Sequence, residues 1–160
     1  MLIFIRFMQE LLYPGWSSEF PSPTIVQTII ESSYHYPKPL SVAELLPKDR
    51  FLPRLLLPPR HPCFPSLALL HGILAATLVH LDSEAFGLSS LTMYQNYKTI
   101  KGGTPAAYHA SQIQSKSMEA IAQGRVSVEI GQAAFLALYY YEHAGWRVSL
   151  FFLRETGAYS

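Results

Sequence analysis

The chain has 160 residues, of which 49% are hydrophobic and 14% are charged, and its formal net charge is +1. This composition excludes a chain that is disordered throughout, and the length is sufficient for one domain with a hydrophobic core. Cys63 is the single cysteine, which excludes an intrachain disulfide and a multi-cysteine zinc site and favours an intracellular protein.

Prolines divide the first part of the chain. Met1–Tyr13, within an N-terminal segment over residues 1–20, is predicted to form a short helix that ends at Pro14-Gly15. Ser22-Pro23 has the form of a helix N-cap followed by proline at the first helical position. The residues that follow have the spacing of one helix face, which predicts a helix ending before Pro37 and Pro39: Ile25, Val26, Ile29, Ile30 and Ser33.

A proline-rich connection is expected over residues 37–65. Ser41 and Glu44 have the spacing of a capping box, which predicts about one helical turn before Pro47. Arg50–Arg60 is predicted to be irregular, because prolines at positions 53, 58 and 59 interrupt any longer element.

The segment Leu67–Leu81 is predicted to be a core helix with Ser66 as its N-cap. Its polar side chains are His71, Thr77 and His80, and a helix that is apolar on nearly every face must be surrounded by other protein. The segment is shorter than the roughly 20 residues that a membrane span requires, and so is Met1–Met8, which Arg6 interrupts. No membrane partner is expected.

The second half of the chain has the pattern of consecutive helices. Asp82–Ser90 is predicted to be a loop or a frayed turn, and Leu91–Ile100 has no clear pattern before the break at Gly102-Gly103. Thr104-Pro105 then opens a helix to about Gln123, with Gly124 as the C-terminal residue. This helix is expected to bury one face, formed by Ala106, Ala110, Ile113 and Ile121.

A further helix is predicted from Ser127 to His143, and within it Ala133–Tyr141 is apolar nearly all round. Ala144-Gly145 is predicted to turn the chain into another helix at Trp146–Glu155. No strand-like alternation occurs, so the fold class is all-α. We expect an irregular helical bundle built of αα-hairpins, with a proline-rich N-terminal part, as a single domain over residues 1–160.

The six histidines are the first candidates for chemistry: His35, His61, His71, His80, His109 and His143. A helical metal pair needs a spacing of three or four residues, whereas His71 and His80 are nine apart and lie about 180° around the axis from each other. We therefore expect these histidines to be hydrogen bonded inside or at the edge of the core.

The remaining candidate residues also favour structural roles. Cys63 and His61 lie in a proline-locked loop in which their side chains are not expected to meet, and free cysteines are commonly buried and inert. Gly102-Gly103 follows Lys101 but lacks the sequence context of a phosphate loop. The basic residues are scattered, with at most a local pair such as Lys98 and Lys101, so a nucleic-acid-binding face is not indicated.

Acidic and aromatic residues give no active site either. Glu129, Glu142 and Glu155 are expected on exposed faces or at helix ends. The run Tyr139–Tyr141 and Trp146 are expected to pack in a helix-turn-helix corner, with the hydroxyls reaching the surface. We therefore predict no enzyme activity and assign no catalytic, cofactor-binding, metal-binding or DNA-binding residue.

The order of motifs nevertheless resembles a known family. Tyr-Pro-Gly-Trp at 13–16, Pro-Ser-Pro at 21–23, Leu-Pro-Pro at 57–59 and HPCFPSLALLH at 61–71 resemble, in that order, the middle homology region of fungal zinc-cluster transcription factors, basidiomycete type. Tyr108-His109, Gly124, Gln132-Ala133, Tyr139–Tyr141 and Ala144-x-Trp146 continue the likeness. Together these motifs cover the chain from about Tyr13 to Leu150.

This resemblance implies an all-helical regulatory domain in a nuclear protein that takes part in regulating RNA polymerase II transcription. In the family, DNA is bound through a separate zinc-holding cysteine cluster that this sequence lacks, so no zinc cofactor or DNA-reading residue is carried over. The chain departs from the family at Leu46–Phe51, where the family has a His-Arg-Pro stretch before a phenylalanine, and in stopping at Ser160. We therefore expect an incomplete domain, either a fragment or a shortened gene product.

Two alternatives stay open at this stage. One is a helical interaction scaffold unrelated to transcription, although no repeat with a period of roughly 30 to 50 residues is visible. The other is a small-ligand-binding or enzymatic domain built around His71 and Tyr108. If Leu67–Leu81 and Ala133–Tyr141 are both core helices in a chain this short, part of their surface is uncovered, so we expect protein partners, self-association or marginal stability.

Overall fold

The computed structural model describes residue 3 and residues 13–35, 42–81 and 83–155, with only the backbone described at 83 and 146–155. The described part contains seven α-helices and no strand, which confirms the all-α fold class. The helices are α1 (Pro23–Ser33), α2 (Val42–Leu45), α3 (Lys48–Leu55), α4 (Leu67–Leu78), α5 (Thr92–Lys101), α6 (Pro105–Ala122) and α7 (Val128–Glu155). Two short 3₁₀ turns, Ser83–Phe86 and Leu88–Ser90, lie between α4 and α5.

Side-chain caps begin three of these helices at the predicted residues. Ser22 accepts a hydrogen bond from the backbone N–H of Ile25 at the start of α1. Ser66 begins α4 in the same way, at 3.2 Å, and Thr104 begins α6. Each hydroxyl satisfies a backbone donor that has no partner within the helix. The cap-then-proline pattern therefore located the starts of α1 and α6 correctly.

Helix α4 is the centre of the core. Every residue from Ala68 to Leu78 is buried, and α4 packs against α1, α6 and α7. The predicted apolar helix is confirmed, although it ends at Leu78 rather than Leu81. The buried face of α1, which consists of Val26, Ile29, Ile30 and Ser33, also matches the prediction.

Gly72 sets the distance between α4 and α7. A β-carbon at this position would lie 3.2 Å from Cβ of Leu136 and 3.4 Å from Cα of Ala133. Those distances are at or below ordinary van der Waals contact, so the two helices approach closely because residue 72 has no side chain.

Three further contacts connect the proline-rich connection to the core. Tyr34 at the end of α1 donates a hydrogen bond to the carbonyl of Leu46, and Arg54 of α3 forms an ion pair with Glu129 of α7 at 2.7 Å. Gln132 of α7 donates to the carbonyl of Leu45. Although α2 and α3 are short, they are therefore held against both the first and the last helix.

The prediction that Arg50–Arg60 is irregular is wrong for its first half, because α3 extends from Lys48 to Leu55 with Pro53 inside it. Proline removes one backbone hydrogen bond from a helix. In this short helix the loss is confined to one position, and α3 buries Phe51 and Leu55 in the core. Tertiary packing thus outweighs the local break.

The predicted turn at Ala144-Gly145 is also wrong, because α7 continues from Val128 to Glu155 without interruption. A glycine inside a helix costs about 1 kcal/mol relative to alanine but does not require a turn, and no proline accompanies it here. The αα-hairpin of the second half is formed instead by α6 and α7, joined through Gly124 in a left-handed conformation with φ +72°.

Smaller differences concern the ends of helices. Leu91–Ile100, which had no clear pattern, lies almost entirely in α5. Ile121 is exposed rather than buried, because the buried face of α6 ends at Ile113. The predicted helix over Met1–Tyr13 and the cap at Ser41 lie, apart from residues 3 and 13, outside the described residues.

We predict that Gly72→Val destabilises the protein by about 1–3 kcal/mol, because added atoms at position 72 would overlap Leu136 and force α4 and α7 apart. Gly131→Ala is the matched control: Gly131 is also helical, but a β-carbon there meets no atom within 4 Å. That substitution is expected to stabilise by about 0.5–1 kcal/mol. Urea unfolding measures both, and equal effects at the two glycines would contradict the close approach at Gly72.

Candidate functional site

A chain of three buried polar side chains crosses the core between α4, α5 and α6. Nδ1 of His71 lies 2.9 Å from Nδ1 of His109, and Nε2 of His109 lies 2.6 Å from the hydroxyl of Tyr94. All three residues are buried, and both histidines have no exposed surface. We call these three residues the histidine chain.

The hydrogen atoms of the histidine chain can be arranged in two ways. If Tyr94 donates to Nε2 of His109, then Nδ1–H of His109 donates to Nδ1 of His71, and each of these donors has an acceptor. If the directions are reversed, the hydroxyl proton of Tyr94 no longer takes part. In either arrangement Nε2 of His71 is buried and has no hydrogen-bond partner among the described residues.

Aromatic rings enclose the histidine chain. The ring of Phe20 stacks on His71 with centroids 4.2 Å apart and lies 5.9 Å from the ring of His109. Tyr108 packs edge-on against both histidines and against Tyr94. Phe20, in the loop that precedes α1, therefore covers His71 and His109, which we call the histidine pair.

Burial keeps the members of the histidine chain neutral. Burial, and secondarily the positive charge of Lys116, lowers the pKa of His71 from 6.5 to about 3. Burial, followed by the effect of His71, lowers the pKa of His109 well below its ordinary value. The pKa of Tyr94 is raised by burial and then by Tyr108, so its phenol stays protonated.

A second, half-buried cluster joins the end of α4 to α7. Nε2 of His80 lies 2.7 Å from the hydroxyl of Tyr139, and the rings of His80 and His143 are 5.0 Å apart. Nδ1–H of His143 donates to the carbonyl of Tyr139, one helical turn earlier. The expectation that the histidines are hydrogen bonded in or beside the core is thus confirmed for His71, His80, His109 and His143.

The other candidates lie apart from these clusters. His35 is exposed, and Nδ1 of His61 accepts a hydrogen bond from the backbone N–H of Cys63 rather than from its thiol. The thiol is exposed, which differs from the burial typical of free cysteines. Glu129 is paired with Arg54, whereas Glu142 is exposed on α7 and the side chain of Glu155 lies outside the described residues.

The outward side of α7 is apolar and exposed. We call it the α7 outer face and define it by Val128, Phe135, Leu138 and Tyr141, all of which are exposed. Leu138 retains 69% of its accessible surface, whereas Leu136 and Tyr139 on the opposite side are buried. The expected helix-turn-helix corner is not formed, because α7 is continuous: Tyr139 and Tyr140 are buried and Tyr141 is exposed. The side chain of Trp146 lies outside the described residues.

The geometry of the histidine chain favours structural hydrogen bonding over chemistry. His71 and Tyr108, which the ligand-binding alternative brings together, do lie close, with ring centroids 6.3 Å apart. The imidazoles, however, point at each other and lie beneath Phe20. Within the described residues no group of three or more histidine, cysteine, aspartate or glutamate side chains is placed to hold a metal ion.

Sequence reasoning found the histidines but not their partners. A signal for His109 was present, because it lies three residues after Ala106 and four before Ile113, on the face predicted to be buried. No comparable signal identified Phe20 or Tyr94, whose contacts with the histidines depend on how a loop and α5 fold back onto α4 and α6.

Comparison of the chain with protein-family models, with curated proteins and with solved structures finds no match in any of the three. The likeness of its motifs to a transcription-factor family therefore stays a prediction. In the described part of the chain, no helix is both long enough and apolar enough to cross a membrane.

We predict that Tyr94→Phe destabilises the protein by about 1–3 kcal/mol, because it leaves Nε2 of His109 buried without its hydrogen-bond partner. Tyr141→Phe removes a hydroxyl from an exposed tyrosine of the α7 outer face and is expected to change stability by less than about 0.5 kcal/mol. Thermal and urea unfolding of both variants test this difference. Equal stabilities would show that the Tyr94–His109 hydrogen bond makes no net contribution.

Proposed function

We propose that this chain is a regulatory, protein-contacting helical domain of the fungal transcription-factor type, without chemistry of its own. The order of its motifs from about Tyr13 to Leu150 supports the family likeness. The all-α architecture agrees with the helical domain that this likeness implies.

The observation that carries the proposal is the contrast between a closed interior and an open apolar surface. The polar atoms of the histidine chain bond to one another under a cover of aromatic rings, whereas an active site needs polar groups that a substrate can reach. The α7 outer face instead exposes large apolar side chains along one helix. Such surfaces mark sites of contact with other macromolecules.

The wider role follows from the resemblance. We propose a nuclear protein that takes part in regulating RNA polymerase II transcription, in which DNA is bound through a separate module and this domain contacts proteins. No zinc or other cofactor is assigned to the present chain. The coding sequence upstream of Met1 tests this proposal directly: an in-frame cluster of six cysteines supports it, and an unrelated upstream sequence contradicts it.

A helical interaction scaffold outside transcription is the second candidate, because the α7 outer face supports any role in binding proteins. A ligand-binding or enzymatic domain has less support, since His71 has no exposed surface and Phe20 lies on its ring. The upstream coding sequence separates the first two candidates.

We predict that the isolated chain self-associates through the α7 outer face and that Leu138→Glu weakens this association at least tenfold. Burial of a leucine side chain contributes about 1.5–3 kcal/mol, and a buried unpaired charge adds a penalty. Ile100→Glu is the matched control, because Ile100 is 75% exposed and lies on another helix, α5. Sedimentation velocity over a range of concentrations measures the effect, and a monomer at every concentration would contradict the prediction.

We predict that the chain alone does not bind DNA sequence-specifically at nanomolar concentration. Its formal net charge is +1, and Lys98 and Lys101, at the exposed end of α5, have no cluster of basic residues around them in the sequence. Fluorescence anisotropy with labelled duplexes at low salt tests this, with a repeat at higher salt to remove non-specific binding. Tight binding that discriminates between duplexes and survives added salt would contradict the proposal that DNA is bound through a separate module.

A further inference from the structure

The loop Tyr13–Pro21, which we call the strap, lies across His71 and His109, and its residues Glu19 and Phe20 contact α4 and α6. The ring of Phe20 stacks on His71, and the hydroxyl of Tyr108 donates to the carbonyl of Glu19 at 3.2 Å. The carboxylate of Glu19 forms an ion pair with Lys116 of α6 at 2.9 Å. These contacts join the strap to α4 and α6.

Trp16, near the other end of the strap, can report on whether the strap is open. The indole N–H of Trp16 donates to the carbonyl of Pro21 at 2.9 Å, so the strap is folded on itself. The ring of Trp16 is half-buried and packs edge-on against Phe64, with centroids 6.4 Å apart. Opening of the strap would therefore expose the indole to water.

We propose that the strap is an acid-released cover, which opens when the pH falls because its removal allows His71 and His109 to be hydrated and protonated. The closed strap excludes water from both imidazoles, since His71 and His109 have no exposed surface. The open state hydrates the ring face that Phe20 occupies in the closed state. The two states thus differ in how readily the histidines accept protons.

The direction of the effect follows from proton linkage. Burial, and then Lys116, lowers the pKa of His71 to about 3 in the closed state, whereas a hydrated histidine has its ordinary value of 6.5. Between these values the open state binds more protons, so opening becomes about tenfold more favourable per pH unit for each histidine. The closed state is fully favoured above pH 6.5 and loses this advantage as the pH falls towards 3.

The charged and titratable groups around the pair act in the same direction. Lys116 opposes a positive charge on His71, and the phenols of Tyr94 and Tyr108 are neutral throughout this range. From α7, Ala133 and Leu136 pack beside Gly72, and from α1 the buried residues against α4 are apolar except for Ser33. Glu19, the acidic residue of the strap, is ion-paired with Lys116.

Release of the strap is expected before the helices unfold. Apart from the hydrogen bond between His71 and His109, the helices α4, α6 and α7 pack mainly through apolar side chains, which do not respond to pH. The strap, by contrast, is joined to α4 and α6 through Glu19 and Phe20, and Phe20 stacks directly on His71, one of the two groups that acid protonates in the open state. Local opening therefore costs less than global unfolding.

The test uses Trp16 as the single tryptophan, excited selectively over the tyrosines, in a Trp146→Phe background of the full chain. Acrylamide quenching of Trp16 and far-UV circular dichroism are followed from pH 7.5 to 3. The expected result is that quenching increases with a midpoint at least one pH unit above the midpoint for loss of helix. Coincident midpoints would overturn the proposal.

A histidine variant identifies the responsible group. His71→Gln keeps hydrogen-bonding capacity without titrating, so the midpoint of quenching should move to lower pH, whereas His61→Gln, at an exposed histidine, should leave it unchanged. If His71→Gln does not fold, Glu19→Gln serves instead and should raise the midpoint by removing one attachment of the strap. A strap that titrates identically in the variant and the control would also overturn the proposal.

Discussion

The structure depends on the complete enclosure of one helix. Helix α4 has no polar face, so its stability requires apolar neighbours on every side, and α1, α6 and α7 supply them. Gly72 allows α7 to approach to direct contact, while the buried side of α1 contributes Val26, Ile29 and Ile30. The short helices α2 and α3 add Val42, Phe51 and Leu55 to the core that these helices form.

Because α4 is enclosed, the imidazole of His71 is buried and needs a hydrogen-bond partner, since burial of an unpaired polar group is costly. Nδ1 of His71 is satisfied by His109, and the other nitrogen of His109 is satisfied by Tyr94. This sequence of hydrogen bonds selects the register of α6 against α4 and places α5 against α6. Apolar burial is non-directional, so the histidine chain supplies a specificity that the apolar contacts alone lack.

Local patterns in the sequence predicted the parts of the fold that local chemistry determines. Ser66 and Thr104 were recognised as caps because the hydroxyl and the backbone donor it satisfies are three residues apart. The predictions of an irregular segment at Pro53 and of a turn at Gly145 are wrong because non-local packing decides the structure there. Both residues disfavour a helix locally, and packing of α3 and α7 against the core outweighs that preference. The prediction that Ile121 is buried is wrong, because the spacing of apolar residues along a helix does not show where the helix packed against it ends.

The candidate site was less predictable, since its partners are distant in sequence. His71 and His109 are 38 residues apart, and Phe20 reaches them from a loop that precedes the first described helix of the core. Composition had indicated that Ala133–Tyr141 is apolar on nearly all sides, but only the fold shows that Ala133, Leu136, Tyr139 and Tyr140 face inward. Ala134, Phe135, Leu138 and Tyr141 of that segment are exposed, because α4 can cover only one side of α7. Helix α7 is apolar on both sides. One side is buried against α4 within this chain, and the other is left for contact with a second protein surface.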